Sequence, residues 1–240
     1  MTTNDNIRYI FRFKNGETKE FLLRFDSTTL DLIPDNKSVP PSWAALSVYK
    51  CNNCPLDPDI HEYCPTALHL GWILNELQEY DSFEEVTIEV VDFMRSYVKE
   101  TSLQDGLGSL MGIIMPTGGC PLLKPLRPMV RFHLPFASLE EMEYRMVSMY
   151  LFAQYLRQQN GEEPDWTLDG LQDIYKKVSD VNKSFAYRVS TSSKGDVGIN
   201  AIIILDCFAK TVPKAIQNMM KDFETIFAPH LQFAQSDSTK

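Results

Sequence analysis

The sequence has no surplus of positive charge. Its 23 Lys and Arg face 32 Asp and Glu, leaving a net charge of −9. Wrapping nucleic acid or lying on anionic lipid needs a basic surface, so neither partner is expected. Long apolar runs are missing too: the longest, Ile199 to Leu205, contains Asn200 and is far too short to span a bilayer. Met1 to Arg24 has no apolar core behind a basic start, so no export signal is expected. There is no repeat, no low-complexity stretch, no Gly-x-Ser-x-Gly and no Walker loop. The closely spaced cysteine triplet of radical enzymes that use S-adenosylmethionine is also missing. These absences leave a cytoplasmic chain with reduced thiols, off the membrane and off nucleic acid. A protein partner or redox partner and the oligomeric state are not specified by them.

What is present is ordinary for a globular protein: 240 residues, 44% hydrophobic and 23% charged. A chain of this size buries a core without disulfides. Ile7 to Phe13 is rich in strand formers. Asn15-Gly16 then signals a hairpin turn with both residues at positive φ, and Lys19 to Phe25 is the return strand. Leu30 to Ile33 reads as a third short strand, Pro34 to Pro41 as a turn-rich link. Pro65 suits the first position of a helix reaching about Tyr80. Glu85 to Glu100 is read as helical, against the strand propensity of Val86 to Val91. Thr101 or Ser102 opens a further helix that stops near Pro116, and Leu122 to Pro135 is a proline-rich irregular crossing.

Ser138-Leu-Glu-Glu141 is a capping box opening a helix over Leu139 to Gln159, ended by Asn160-Gly161. Thr167 is the expected cap of a helix over Leu168 to Ser190, followed by a loop from Ser192 to Gly198. Ile199 to Lys210 reads as a buried helix, Pro213 as the opening of a last helix to about Phe227, and Gln232 to Lys240 as a frayed tail. The fold class is α+β, a mostly helical body of about six helices with a small N-terminal antiparallel β-hairpin element. Residues 1–40 form the hairpin element, 41–135 the cysteine-bearing helical region, and 136–240 a C-terminal helical bundle.

The chemistry lies in the cysteines. The spacing is Cys51-x2-Cys54-x9-Cys64, with Cys120 far downstream in Gly118-Gly-Cys-Pro121. A Cys-x-x-Cys turn lets two thiolates grip one ion or two corners of a cluster, and thiolates suit zinc or iron–sulfur. Only one such knuckle exists, which weakens a zinc-ribbon reading. Cys54, Cys64 and Cys120 each precede proline, as in the last step of the bacterial ferredoxin run. Gly118-Gly119 gives the backbone room to come close to a bulky centre. The expected ligand set is Cys51, Cys54, Cys64 and Cys120, holding a [4Fe–4S] cluster in preference to zinc. Equally, free cysteines can be small buried hydrophobes, the reading given to Cys207.

Arg127, Arg131 and His133 are the residues expected beside the centre, the arginines offsetting its negative charge. Otherwise they pair with Glu140, Glu141 or Glu143. His61 and His69 are structural or additional ligands. Cys120 with His133 also forms a conceivable nucleophile pair, which would need a lowered thiol pKa. Gly106 to Gly112 is either a phosphate cradle or a site of close helix packing. Met142, Met146 and Met149 form a core row, and Asn182, Arg188 and Asn200 a candidate buried polar network.

The run Cys-Asn-Asn-Cys-Pro-Leu, Tyr-Cys-Pro-Thr-Ala, Gly-Gly-Cys-Pro and Arg-Pro-Met-Val-Arg-Phe-His-Leu-Pro-Phe-Ala, ending in Met149 to Tyr155, resembles a group of bacterial proteins classed as a domain of unknown function. The resemblance covers nearly the whole chain. It implies a bacterial cytoplasmic origin and no activity. The expected function is a cysteine-ligated regulatory, binding or redox-sensing module. The alternatives are an iron–sulfur enzyme or electron carrier, and an interaction protein with a zinc staple or no metal.

Overall fold

Alternation of apolar and charged side chains sends Tyr9, Phe11 and Phe13 inward from β1 (Asn6–Phe13) and Phe21 and Leu23 inward from β2 (Thr18–Arg24). The two strands pair antiparallel with Tyr9 opposite Phe21. The connection differs from the expected two-residue turn. Gly16 alone takes positive φ, at +89°, and the Phe13 N–H donates to the Glu17 carbonyl at 2.9 Å. The loop thus has three residues with glycine in its left-handed position.

The computed structural model describes residues 6–34, 39–92, 94–191 and 195–236, with backbone alone at 213–215, 217–222 and 233–236. Within these bounds Glu85 to Glu100 is not a helix. It forms β3 (Glu85–Val91) and the start of β4 (Ser96–Ser102). Val86, Ile88 and Val90 are buried at period two, the strand signature that outweighs helical composition. The Asp92 carboxylate accepts the Met94 and Arg95 N–H groups, each at 2.7 Å, so a side chain closes the turn without glycine. The sheet is antiparallel throughout, in the order β2-β1-β3-β4. Its outer face carries ion pairs such as Arg12–Glu89 at 2.6 Å. Leu30 to Ile33 contributes only a bridge between Phe25 and Leu32.

The described helices are α1 (Pro65–Leu77), α2 (Leu103–Thr117), α3 (Arg127–Arg131), α4 (Leu139–Gln159), α5 (Asp169–Ser190), α6 (Val197–Asp222) and α7 (Glu224–Ser236); α2 packs on β3 and β4, and α6 packs on α2 and α5 behind it. One apolar cluster runs from Ile7 on β1 to Ile216 on α6. Gly106 lets α2 sit against the sheet: a Cβ there would lie 1.8 Å from Ile88 Cδ1 and 3.1 Å from Phe11 Cε1. Close packing, not a phosphate cradle, accounts for Gly106. Ser102 caps α2 by accepting the Asp105 N–H, and the capping box of Ser138 and Glu141 is formed on α4.

Three further expectations change. Thr167 does not cap α5. Asp165 accepts the Gly170 N–H at 2.8 Å, while Leu168 takes φ +68°. The helix α6 runs unbroken through Pro213, and α7 starts only at Glu224. Cys207 is exposed on α6, whereas its neighbour Asp206 is buried and accepts the Ser179 hydroxyl at 2.7 Å. The Pro34 to Pro41 link, the Ser192 to Gly198 loop and the Gln232 to Lys240 tail fall partly outside the described residues; within them α6 already begins at Val197 and α7 continues through Gln232 to Ser236. Among the described residues no helix is long and apolar enough to cross a membrane.

Candidate functional site

The Cys-x-x-Cys turn closes through the Cys54 N–H, which donates to the Cys51 carbonyl at 3.0 Å. Its loop is tied at both ends. The Leu46 N–H donates to Glu62 and the Cys64 N–H to Ala44, at 2.9 and 2.8 Å, so the strand-like stretch before the loop zips to the stretch after it. The Asn53 amide donates to the Lys177 carbonyl at 3.2 Å, docking the loop on α5. Cys64 is the residue before Pro65 and so sits at the N-terminus of α1.

The glycine turn brings the fourth thiol. Gly119 has φ +91°, and a Cβ there would lie 3.0 Å from Pro65; one on Gly118 would lie 3.2 Å from His69. The two glycines allow the turn after α2 to press onto the start of α1, which delivers Cys120 beside Cys64. Cys51, Cys54, Cys64 and Cys120 together line one cavity of about 20 Å³. Three chain segments far apart in sequence meet there.

Burial pushes the Cys51 and Cys64 thiols up and the Cys120 thiol to about 11. The reactive thiolate that a Cys120–His133 nucleophile pair needs is therefore disfavoured. Backbone N–H groups nearby oppose the burial: those of Ala67 and Thr66 pull Cys64 down, and those of Leu122 and Leu123 pull Cys120 down, although the Cys64 side chain makes no capping hydrogen bond to α1. Each pair lies two and three residues past its cysteine, donors that favour sulfur in its anionic form.

Arg188 completes the pocket wall. It is 1% exposed, and its Nη2 donates to the Tyr49 carbonyl. Its guanidinium carbon stands 5.7 Å from the Tyr49 ring centre and 5.8 Å from that of Phe185. Its Nε and Nη1 are buried with no hydrogen-bond partner. Its charge pulls the Cys51 and Cys64 thiols down against burial. A buried cation with two idle donors is costly unless an anion faces it. Among the described residues, no three His, Cys, Asp or Glu side chains are grouped to hold a metal ion as they stand.

The other expected residues sit elsewhere. Arg127 pairs with Asp31 and donates to the Pro116 and Thr29 carbonyls, both at 3.1 Å, clamping the Asp26 to Asp31 turn to the end of α2. Arg131 is exposed at the end of α3. His61 is exposed, and His69 packs beside Gly118 with burial pushing its pKa down. None of these lines the cysteine pocket. Asn182, Arg188 and Asn200 form no network: Asn200 bonds Ser82 and Asp196, and Asn182 faces a different cavity.

That second cavity is about 490 Å³ and takes its walls from β4, α2, α3, α4, α5 and α6. His133 lies there, its Nε2 2.7 Å from the Tyr9 hydroxyl, which is also 2.9 Å from Ser109 Oγ. Burial and the nearby Arg145 hold the His133 pKa down to about 3, so the ring is neutral. Arg145 and Asn182, both on its wall, had no sequence motif to mark them. The signal for Arg188 was legible: a charged residue between Phe185 and Val189 on the apolar stripe of α5.

The fold and site define a helix-rich α+β protein with a four-thiol pocket beneath an unpaired arginine. A family model, Domain of unknown function (DUF6901), matches residues 7–228. The chain belongs to that family. No curated protein and no solved structure matches it.

Proposed function

We propose that the chain is a cysteine-ligated metal protein serving as a regulatory or redox-sensing module. Cys51, Cys54, Cys64 and Cys120 are the ligands, a [4Fe–4S] cluster is the centre, and Arg188 is its buried counter-charge. The observation that carries this reading is the meeting of four cysteines from three segments on one cavity beside Arg188, whose Nε and Nη1 lack partners. Four thiolates around a cluster keep a net negative charge, which those two donors would face. The N–H groups aimed at Cys64 and Cys120 are of the kind that tunes cluster sulfurs.

Zinc is the second reading, and the cavity's size favours it. About 20 Å³ holds a water-sized group, so a cluster requires the Cys51 to Cys64 loop to move outward. A single ion instead requires the sulfurs to contract to about 2.3 Å from one point. Spectra of protein purified without air separate the two. The cluster gives broad visible absorbance that bleaches on reduction and is lost in Cys64→Ser. A colourless protein with one zinc supports the staple. Colourless protein free of both metals contradicts the proposal.

A further inference from the structure

The 490 Å³ cavity has the size of a small-molecule site, and its electrostatics are incomplete. Asn182 is 2% exposed and lines it, and among the described residues its amide has no hydrogen-bond partner. Arg145 projects from α4 into the same space. Its Nη2 donates to the Met129 and Phe132 carbonyls at 2.9 and 2.6 Å, and its Nη1 meets only the Met142 sulfur at 3.6 Å. No carboxylate pairs with it among the described residues. The Tyr175 hydroxyl finds only the Met129 sulfur, at 3.8 Å. Arg145, Tyr175 and Asn182, on facing helices, thus line one space in which no carboxylate pairs with the arginine among the described residues.

The rest of the wall is apolar and adaptable, with Met115, Met129, Met142, Val178 and Phe208 among its residues. The rim carries one cation, Lys99, and one carboxylate, Asp105. Lys99 stands 5.8 Å from the Phe136 ring centre, while Asp105 is committed to Ser102 and Thr101 at 2.7 and 3.2 Å. His133 is occupied by Tyr9 on one nitrogen.

We propose that this cavity binds a carboxylate with an apolar body, of the size of a medium-chain fatty acid, with Arg145 and Asn182 holding the head group. A carboxylate suits the guanidinium fork and also accepts from an amide. A phosphate ester would need more cationic groups than the wall provides. The site shares only Leu123 with the cysteine pocket and does not depend on a metal.

Gly112 supplies a clean test. It lies on α2 at the cavity wall, and a Cβ there meets nothing within 4 Å. Gly112 is exposed at the cavity wall, so Gly112→Phe is expected to place a ring across the cavity without a clash at its Cβ. Isothermal titration of the full chain compares decanoate, decanol and decylamine. Decanoate is expected to bind at least about tenfold more tightly than decanol, the step one good charged contact gives. Decylamine binds more weakly still. Gly112→Phe abolishes decanoate binding with no fall in melting temperature or metal content, and Arg145→Gln lowers decanoate to the level of decanol. Absence of decanoate binding, equal affinity for decanol, or binding that survives Gly112→Phe overturns the proposal.

Discussion

The two cavities each contain an arginine without an acidic partner, and they solve that problem differently. The cysteine pocket is small, and its arginine is sealed: Arg188 is held by one carbonyl and two rings, with two donors idle. The larger cavity is open at its rim, and Arg145 is only half-buried, anchored by two carbonyls. A sealed cation needs a resident counter-charge, because no solvent can come to it. An open one can wait for a ligand. The first arrangement fits a permanent centre, the second an exchangeable guest.

The largest effect expected from breaking this contrast is at Arg188. In protein stripped of metal, Arg188→Met replaces an unsatisfied buried charge with an apolar side chain of similar length. It should stabilise by about 1–4 kcal/mol in chemical denaturation. In metal-loaded protein the same change should lower metal retention. Stabilisation in both forms would mean that Arg188 faces no anion.

Next comes the pair of glycines on α2. Gly106→Ala pushes a methyl into Ile88 and should cost about 1–3 kcal/mol. Gly112→Ala points into open space and should stabilise by up to about 1 kcal/mol through helix propensity. Urea midpoints that moved together would show that Gly112 is packed as closely as Gly106.

His133 gives a pH test on the open side. Its folded pKa lies well below its ordinary value of about 6.5, so the unfolded chain binds the extra proton first. Its contribution to stability is complete above that value and declines as pH falls towards about 3. The slope is at most about 1.4 kcal/mol per pH unit, reduced by solvent at the cavity rim. His69, also shifted down by burial, adds to the same decline. Between pH 7 and 5, above most carboxylate titration, His133→Gln should flatten part of the slope. An unchanged slope would remove His133 from the account.

The smallest effect expected is at Asn182. Asn182→Leu removes an unpartnered amide from a wall that is otherwise apolar, and should cost under about 1 kcal/mol or be neutral. A loss of several kcal/mol in its urea denaturation would show that the amide has a structural partner.

The same contrast explains what was legible in the sequence. The cysteine pocket was visible because its thiols carry local spacing: a knuckle, three Cys-Pro steps and a double glycine. Helix ends were visible for the same reason, at Pro65, Ser102 and Ser138. The larger cavity draws its residues from six elements; Asn182 stood out only as a polar residue on an apolar stripe, and nothing near Arg145 distinguishes it from other helix residues. The β3–β4 hairpin was missed because its turn is closed by Asp92, with no glycine or Asn-Gly to announce it. Cys207 was misplaced because burial changes sharply along α6, with Asp206 inward and Cys207 outward. A cation beside the cysteines was sought nearby in sequence, at Arg127 and Arg131; the one lining their pocket is Arg188 on α5, because the loop carrying Cys51 and Cys54 docks on that helix.

Iron, acid-labile sulfide and zinc per chain, measured on protein isolated without air and on its Cys120→Ser variant, test the central claim most directly. The account predicts iron and sulfide in equal amounts, about four of each per chain, with both falling sharply in the variant. Metal-free wild-type protein, or metal that survives loss of Cys120 unchanged, would contradict it.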